Sequence, residues 1–112
     1  MSEATAARGD RLCGGEIVLD RAAHLVTVRG HAVLLAMQEF RLLELLMTNA
    51  DHVVSSARIL DSLWGREFSG DPGTLAVHVL RLRRKLEREP GASRHVRTVR
   101  GLGYVFDTAP VD

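Results

Sequence analysis

Thr74-Leu75-Ala76-Val77-His78-Val79-Leu80-Arg81-Leu82-Arg83-Arg84-Lys85-Leu86-Glu87-Arg88-Glu89 is the stretch that decides the fold. At roughly 100° per residue, Leu75, Val79, Leu82 and Leu86 fall on one stripe. Arg81, Arg84, Lys85 and Arg88 cluster on a different side. The pattern predicts an amphipathic helix over 74–89, stopped by Pro90-Gly91. Next come His95-Val96-Arg97-Thr98-Val99, a glycine-containing Arg100-Gly101-Leu102-Gly103, and Tyr104-Val105-Phe106. Two short runs of β-formers around a glycine turn predict a hairpin over 94–106.

Working back from this helix, residues 65–73 hold three glycines and Pro72 and read as a loop. Ile59, Leu60, Leu63 and Trp64 form the apolar face of a second helix, capped by Ser55 or Ser56 and ended by Gly65. Val53-Val54 is a short strand. Phe40, Leu43, Leu46 and Met47 give a first helix over 38–49, its stripe thickened by Leu42 and Leu45. Glu16 to Leu35 reads as strands: Ile17 and Leu19 alternate with Val18, Leu25 to Val28 is a β-rich run, and Arg29-Gly30-His31 turns into Ala32 to Leu35. Residues 1–14 are expected to be a flexible tail or linker, 15–108 the domain and 109–112 a C-terminal tail. The fold class is α+β: an N-terminal antiparallel β-sheet, a three-helix core and a C-terminal β-hairpin. A helix pair followed by a hairpin is the arrangement of a winged helix-turn-helix.

The chain has 112 residues and a formal net charge of +1, which announces no partner. Split by segment, the charge is polarised. Residues 78–104 hold eight basic and two acidic residues, a net +6, leaving −5 on the rest. One-sided basic charge on a helix and its following hairpin is the electrostatic footprint of a DNA reader. On pattern alone the alternative is a solvated charged face with local pairing to Glu87 and Glu89. Thr74, Val77, His78 and Arg81 lie in the first turns of the third helix, off its core stripe, where recognition helices present side chains to bases. Arg100, beside glycine on a slim hairpin tip, suits a narrow minor groove.

Other function classes find little support. His24, His31, His52, His78 and His95 are scattered, with no Cys/His spacing for zinc, and no nucleophile elbow or Walker loop occurs. No catalytic residue, metal or cofactor is expected. Cys13 is alone, so no internal disulfide can form, and a lone thiol suits a reducing compartment. The apolar runs are too short to span a bilayer, and residues 1–9 lack an apolar signal core. The expected location is cytoplasmic, without membrane contact.

Trp64-Gly65, Thr74 to Val79, Arg81-Leu82-Arg83-Arg84-Lys85-Leu86 and Thr98-Val99-Arg100-Gly101-Leu102-Gly103-Tyr104 together resemble the effector domain of OmpR/PhoB-type response regulators. Glu39-Phe40 with Leu42-Leu43 matches that family's first helix. The resemblance covers about residues 15–107. It implies a four-stranded N-terminal sheet, and binding to double-stranded promoter DNA, often as head-to-tail dimers. The recognition helix, 74–88, would lie in the major groove and the wing, 94–106, in the minor groove. It implies groove-facing roles for Thr74, Val77, His78 and Arg81, phosphate contacts for His78 and Arg83, and a wing role for Arg100; Arg84, Lys85 and Arg97 of the basic cluster and Tyr104 complete the expected DNA-binding set. Trp64 and Tyr104 also occupy positions that can touch phosphate in relatives, with core packing as the favoured alternative. The 65–73 loop can contact RNA polymerase in relatives. A phosphorylatable receiver domain is about as large as this whole chain, so these residues are either a fragment beside one or a stand-alone module.

The sequence also departs from the family. Leu80, Gly73 and Ser56 stand where relatives usually carry basic residues, Ala76 where Asp or Asn is usual, and Ala36 where Thr caps the first helix. Each lost phosphate contact makes the salt slope of log K shallower by roughly 0.9. Arg58 and Arg84 are the candidates to compensate. Altered specificity and weaker intrinsic affinity are expected, and the rival reading is a winged-helix module that binds protein (RNA polymerase or a regulator partner) with weakened DNA binding.

Overall fold

A computed structural model describes residues 10–65 and 72–110 of the chain. Four short strands, β1 (Arg11–Gly14), β2 (Ile17–Asp20), β3 (Leu25–Val28) and β4 (His31–Val33), form an antiparallel sheet in sequence order. Helices α1 (Met37–Thr48), α2 (Ser56–Trp64) and α3 (Pro72–Leu86) follow, with β5 (Val54–Ser55) between the first two. β6 (Val96–Val99) and β7 (Gly103–Phe106) complete the elements among the described residues. The second sheet has the order β5-β7-β6, so the hairpin is held on one edge by the strand ahead of α2.

The elements follow from their apolar spacing. Ile17, Leu19, Val26 and Val28 alternate along β2 and β3 and are buried. Phe40, Leu42, Leu43, Leu46 and Met47 of α1 meet Ile59 and Leu63 of α2 and Leu75, Val79, Leu82 and Leu86 of α3 in the same core. Phe106 of β7 is fully buried there, while Trp64 and Tyr104 pack against the core from its margin. The sequence expectations for the helices shift by up to three residues: α3 runs 72–86 rather than 74–89. Residues 11–14, expected to be tail, form β1 instead. Arg11 pairs with Asp20 and Gly14 with Ile17 in the register. The four residues gave no periodic signal because only Gly14 of the strand is fully buried. Leu34 and Leu35, expected in the fourth strand, lie beyond its end at Val33.

Ser55 caps α2, its side chain accepting from the Arg58 backbone N–H at 3.1 Å. Ala36 has no side chain that can cap α1. The Ala36 N–H is instead held by Glu39 Oε1 at 2.8 Å. The same oxygen accepts from Lys85 Nζ of α3 at 2.6 Å. The Glu39 side chain is 3% exposed and that of Lys85 36%. One buried carboxylate therefore joins the start of α1 to the last turn of α3. At the hairpin, Gly103 faces Ser55 in the β5–β7 register. A Cβ on Gly103 would collide with the Val54 carbonyl and the Ser55 Cα, so only glycine lets β7 approach β5 this closely.

Burial opposes ionisation of Glu39, but the Lys85 hydrogen bond, the Ala36 N–H and the charges of Lys85 and His78 together lower its pKa below 4.5. The unfolded chain then binds the extra proton. The stability contributed by Glu39 is complete above its ordinary value and is lost as pH falls through the lowered one. Glu39→Gln should cost about 1 kcal/mol at neutral pH, because Lys85 retains access to water. Urea unfolding of the variant should also depend less on pH than that of the parent between about pH 5 and 3; parallel curves would contradict this role.

Candidate nucleic-acid interface

Burial of Leu75, Val79, Leu82 and Leu86 fixes the rotation of α3 and so decides what faces outward. The exposed stripe runs Gly73, Ala76, Val77, Leu80, Arg81, Arg84 and Arg88. Its first half is apolar and its second half basic. Val77 is 44% and Leu80 45% exposed. Leu80, singled out in the sequence as lying off the core stripe, is thus a surface residue.

The arginines divide by location. The described ones before α2 are engaged: Arg11 with Asp20, Arg21 with Glu44, Arg29 with Glu16, and Arg41 with the carbonyls of Ser62 and Leu63. Among the described residues Arg58, Arg81, Arg84, Arg88, Arg94 and Arg100 have side chains with no ion-pair or hydrogen-bond partner. All six lie on α2, on α3 or its C-terminal extension, or on the hairpin and its approach. The polarity in the sequence is therefore sharper in three dimensions, because the acidic half neutralises its own arginines.

Other residues expected at the site have different surroundings. Arg83 Nε donates to the Val96 carbonyl at 2.9 Å and its Nη2 to Thr98 Oγ1, tying α3 to β6. Lys85 is engaged by Glu39 on the side of α3 that faces α1. Arg97 pairs with Asp107 at 3.3 Å. His78 Nδ1 lies 2.8 Å from the Thr74 carbonyl, so that nitrogen carries the proton, and its ring meets the Trp64 edge at a centroid distance of 5.0 Å. Thr74, His78 and Tyr104 are half-buried. Arg83, Glu87, Arg94 and Arg97 line a groove of about 390 Å³ between α3 and β6. Two structural roles, those of Glu39 with Lys85 and Arg83 with β6, were missed in the sequence because each joins residues distant along the chain. Arg88 was legible as part of the basic cluster but was not singled out.

The hairpin is fastened at its base from three directions. Besides Arg83, Asp51 accepts from the Thr108 N–H at 3.0 Å and from its hydroxyl at 2.8 Å. Glu16 of the first sheet accepts from the Ser93 N–H. These bonds lower the pKa of both carboxyls, for Glu16 chiefly through the Ser93 N–H and for Asp51 through Thr108. Arg100 stays at the exposed tip, next to Gly101 in the left-handed conformation with φ 80°.

The family described as "Transcriptional regulatory protein, C terminal" matches residues 30–106. The chain belongs to this family of OmpR/PhoB-type effector domains. The sensory transduction protein RegX3 of Mycobacterium leprae is 44% identical over 94 residues, covering 84% of this chain and 48% of that protein. The chain thus spans about half the length of the curated relatives it matches. The DNA-binding domain of Klebsiella pneumoniae RstA, solved in complex with RstA box, superposes with a TM-score of 0.78 at 27% identity, covering 88% of this chain and 98% of that one. The OmpR/PhoB homologue DrrB of Thermotoga maritima gives 0.77 at 26%, covering 95% of this chain and 49% of that one. The fold expected from sequence, a winged-helix effector domain, is the one observed.

Replacing Arg83 by Ala should destabilise the effector domain by about 1–3 kcal/mol, since two wing acceptors lose their donor. Arg84→Ala, on the exposed stripe, should stay within about 0.5 kcal/mol of the parent. Urea midpoints measure both, and equal effects would contradict the division between a wing tether and a free surface arginine.

Proposed function

We propose that this effector domain reads duplex promoter DNA for a two-component response regulator, with α3 in the major groove and the wing in the minor groove. The observation that carries the reading is the set of unpaired guanidinium groups on α2, α3 and the wing, while the described arginines of the first sheet and α1 are paired locally. Arg81 heads the set of base-reading candidates, with Val77 beside it. Arg58, Arg84, Arg88 and Arg94 are the phosphate candidates, and Arg100 the minor-groove one. Thr74, His78 and Tyr104 support these from half-buried positions. Arg83, Lys85 and Arg97, each held by an intramolecular partner, act by placing the helix and the wing. Arg58 and Arg84 supply charge where Ser56, Gly73 and Leu80 do not.

RstA, which shares this fold, was solved on its DNA box, and this supports the same use of the surface here. In a regulator of the relatives' length, a receiver domain would occupy the remaining half and control this module by phosphorylation in the cytoplasm. No helix among the described residues is long and apolar enough to cross a membrane. Contact with RNA polymerase through the 65–73 loop concerns a segment that lies largely outside the described residues. The protein-binding alternative draws on exposed Val77 and Leu80, but the arginines around them oppose an apolar partner.

Binding to duplex DNA by fluorescence anisotropy should show log K falling with log salt at a slope of about −4 to −5, the release expected for about five neutralised phosphates. Arg84→Ala and Arg88→Ala should each make the slope shallower by about 0.9. Arg81→Ala and Arg100→Ala should each weaken binding to a selected sequence more than to an unrelated duplex, and together more than either alone. Binding indifferent to salt would favour a protein partner instead.

A further inference from the structure

We infer that the first half of α3 selects thymine through its methyl group, using Val77 and Leu80. This rests on the proposed placement of α3 in the major groove. Up to Arg81, the exposed side of α3 from residue 73 consists of Gly73, Ala76, Val77 and Leu80. None of these side chains carries a hydrogen-bond donor or acceptor. The two polar side chains of this half, Thr74 and His78, are half-buried, and the His78 ring is committed to the Thr74 carbonyl and the Trp64 edge. The first side-chain donor on the outward stripe is Arg81.

Base edges in the major groove are polar with one exception, the C5 methyl of thymine. A leucine pressed on adenine, guanine or cytosine would strip water from their donors and acceptors and return nothing. Pressed on a thymine methyl, it buries apolar surface on both sides. The spacing fits: Val77 and Leu80 are three residues apart, a rise of about 4.5 Å along the helix, close to the step of about 3.4 Å between bases. Arg81 follows on the same stripe, and its planar fork matches guanine O6 and N7. Each half-site should therefore contain two adjacent thymines next to a guanine. The substitution of Leu80 for a basic residue thus changes what is read, in addition to removing charge. The surrounding Arg81, Arg84 and Arg88 favour a nucleic acid over an apolar protein as the occupant of this patch.

The test selects bound duplexes from a random pool with the full chain, then replaces each thymine of the selected site in turn by deoxyuridine, which pairs identically but lacks the methyl. Two adjacent positions should each lose about three- to fourfold in affinity, the worth of one buried methyl group. Leu80→Ala should bind the thymine and deoxyuridine forms equally at one of these positions, and Val77→Ala at the other. Both side chains are exposed, so folding is not at stake, and melting temperatures check it. Affinity that is unchanged within twofold at every position, or a methyl effect that survives both variants, overturns the inference while leaving DNA binding intact. If no duplex binds even at low salt, the DNA-reading function fails and the inference fails with it.

Discussion

The molecule turns on one buried carboxylate. Glu39 sits in the first turn of α1, where its Oε1 takes the place of the missing Ala36 cap by holding the Ala36 N–H, and where it also receives the Lys85 ammonium from the far end of α3. A carboxylate this buried must be satisfied or it becomes a large penalty. The only lysine in the chain satisfies it. Lys85 cannot reach Glu39 unless Leu82 and Leu86 lie in the core, so the ion pair and the apolar stripe specify the same rotation of α3. That rotation turns Val77, Leu80, Arg81, Arg84 and Arg88 outward together.

The wing depends on the same helix. Arg83, one position beyond Leu82, points sideways from α3 to the carbonyl of Val96 and the hydroxyl of Thr98. The hairpin is thereby held in a fixed relation to the outward stripe. Asp51 and Glu16 fasten its base to the α1–β5 turn and to the first sheet. A surface that must follow a groove and reach across a phosphate backbone needs this rigidity, since each misplacement of a base-reading side chain loses hydrogen bonds it displaced water to make. Charge is arranged to the same end. Arginines of the sheet and α1 face local acids or carbonyls, and those of α2, α3 and the wing face solvent.

Much of this was legible in the sequence because it is written in local periodicity. The Leu75-Val79-Leu82-Leu86 stripe, the Ser55 cap and the glycine turn after Val99 each depend on neighbours within a few residues. Leu80 could be assigned to the surface from its angle alone. The strand at residues 11–14 is hard to read from sequence because its inward positions are Leu12 and a glycine, Gly14, so a single apolar side chain marks the buried face and pairing with β2 supplies the order. Two kinds of basic residue look alike in the sequence for a related reason. Lys85 and Arg83 look like Arg84 in sequence, yet their partners, Glu39 and Val96, are 46 and 13 positions away. Charge counting sees the cation and not the acceptor that folding brings to it.

On the proposed function, one face, made by the outward stripe of α3 and the wing tip, meets duplex DNA. The most direct measurement is a backbone amide NMR titration of the chain with a selected duplex. The largest shift changes should fall on Ala76, Val77, Leu80, Arg81, Arg84, Arg88 and Arg100, with the β1–β4 sheet nearly silent. Changes concentrated on that sheet, or around exposed Leu34 and Met37, would contradict it.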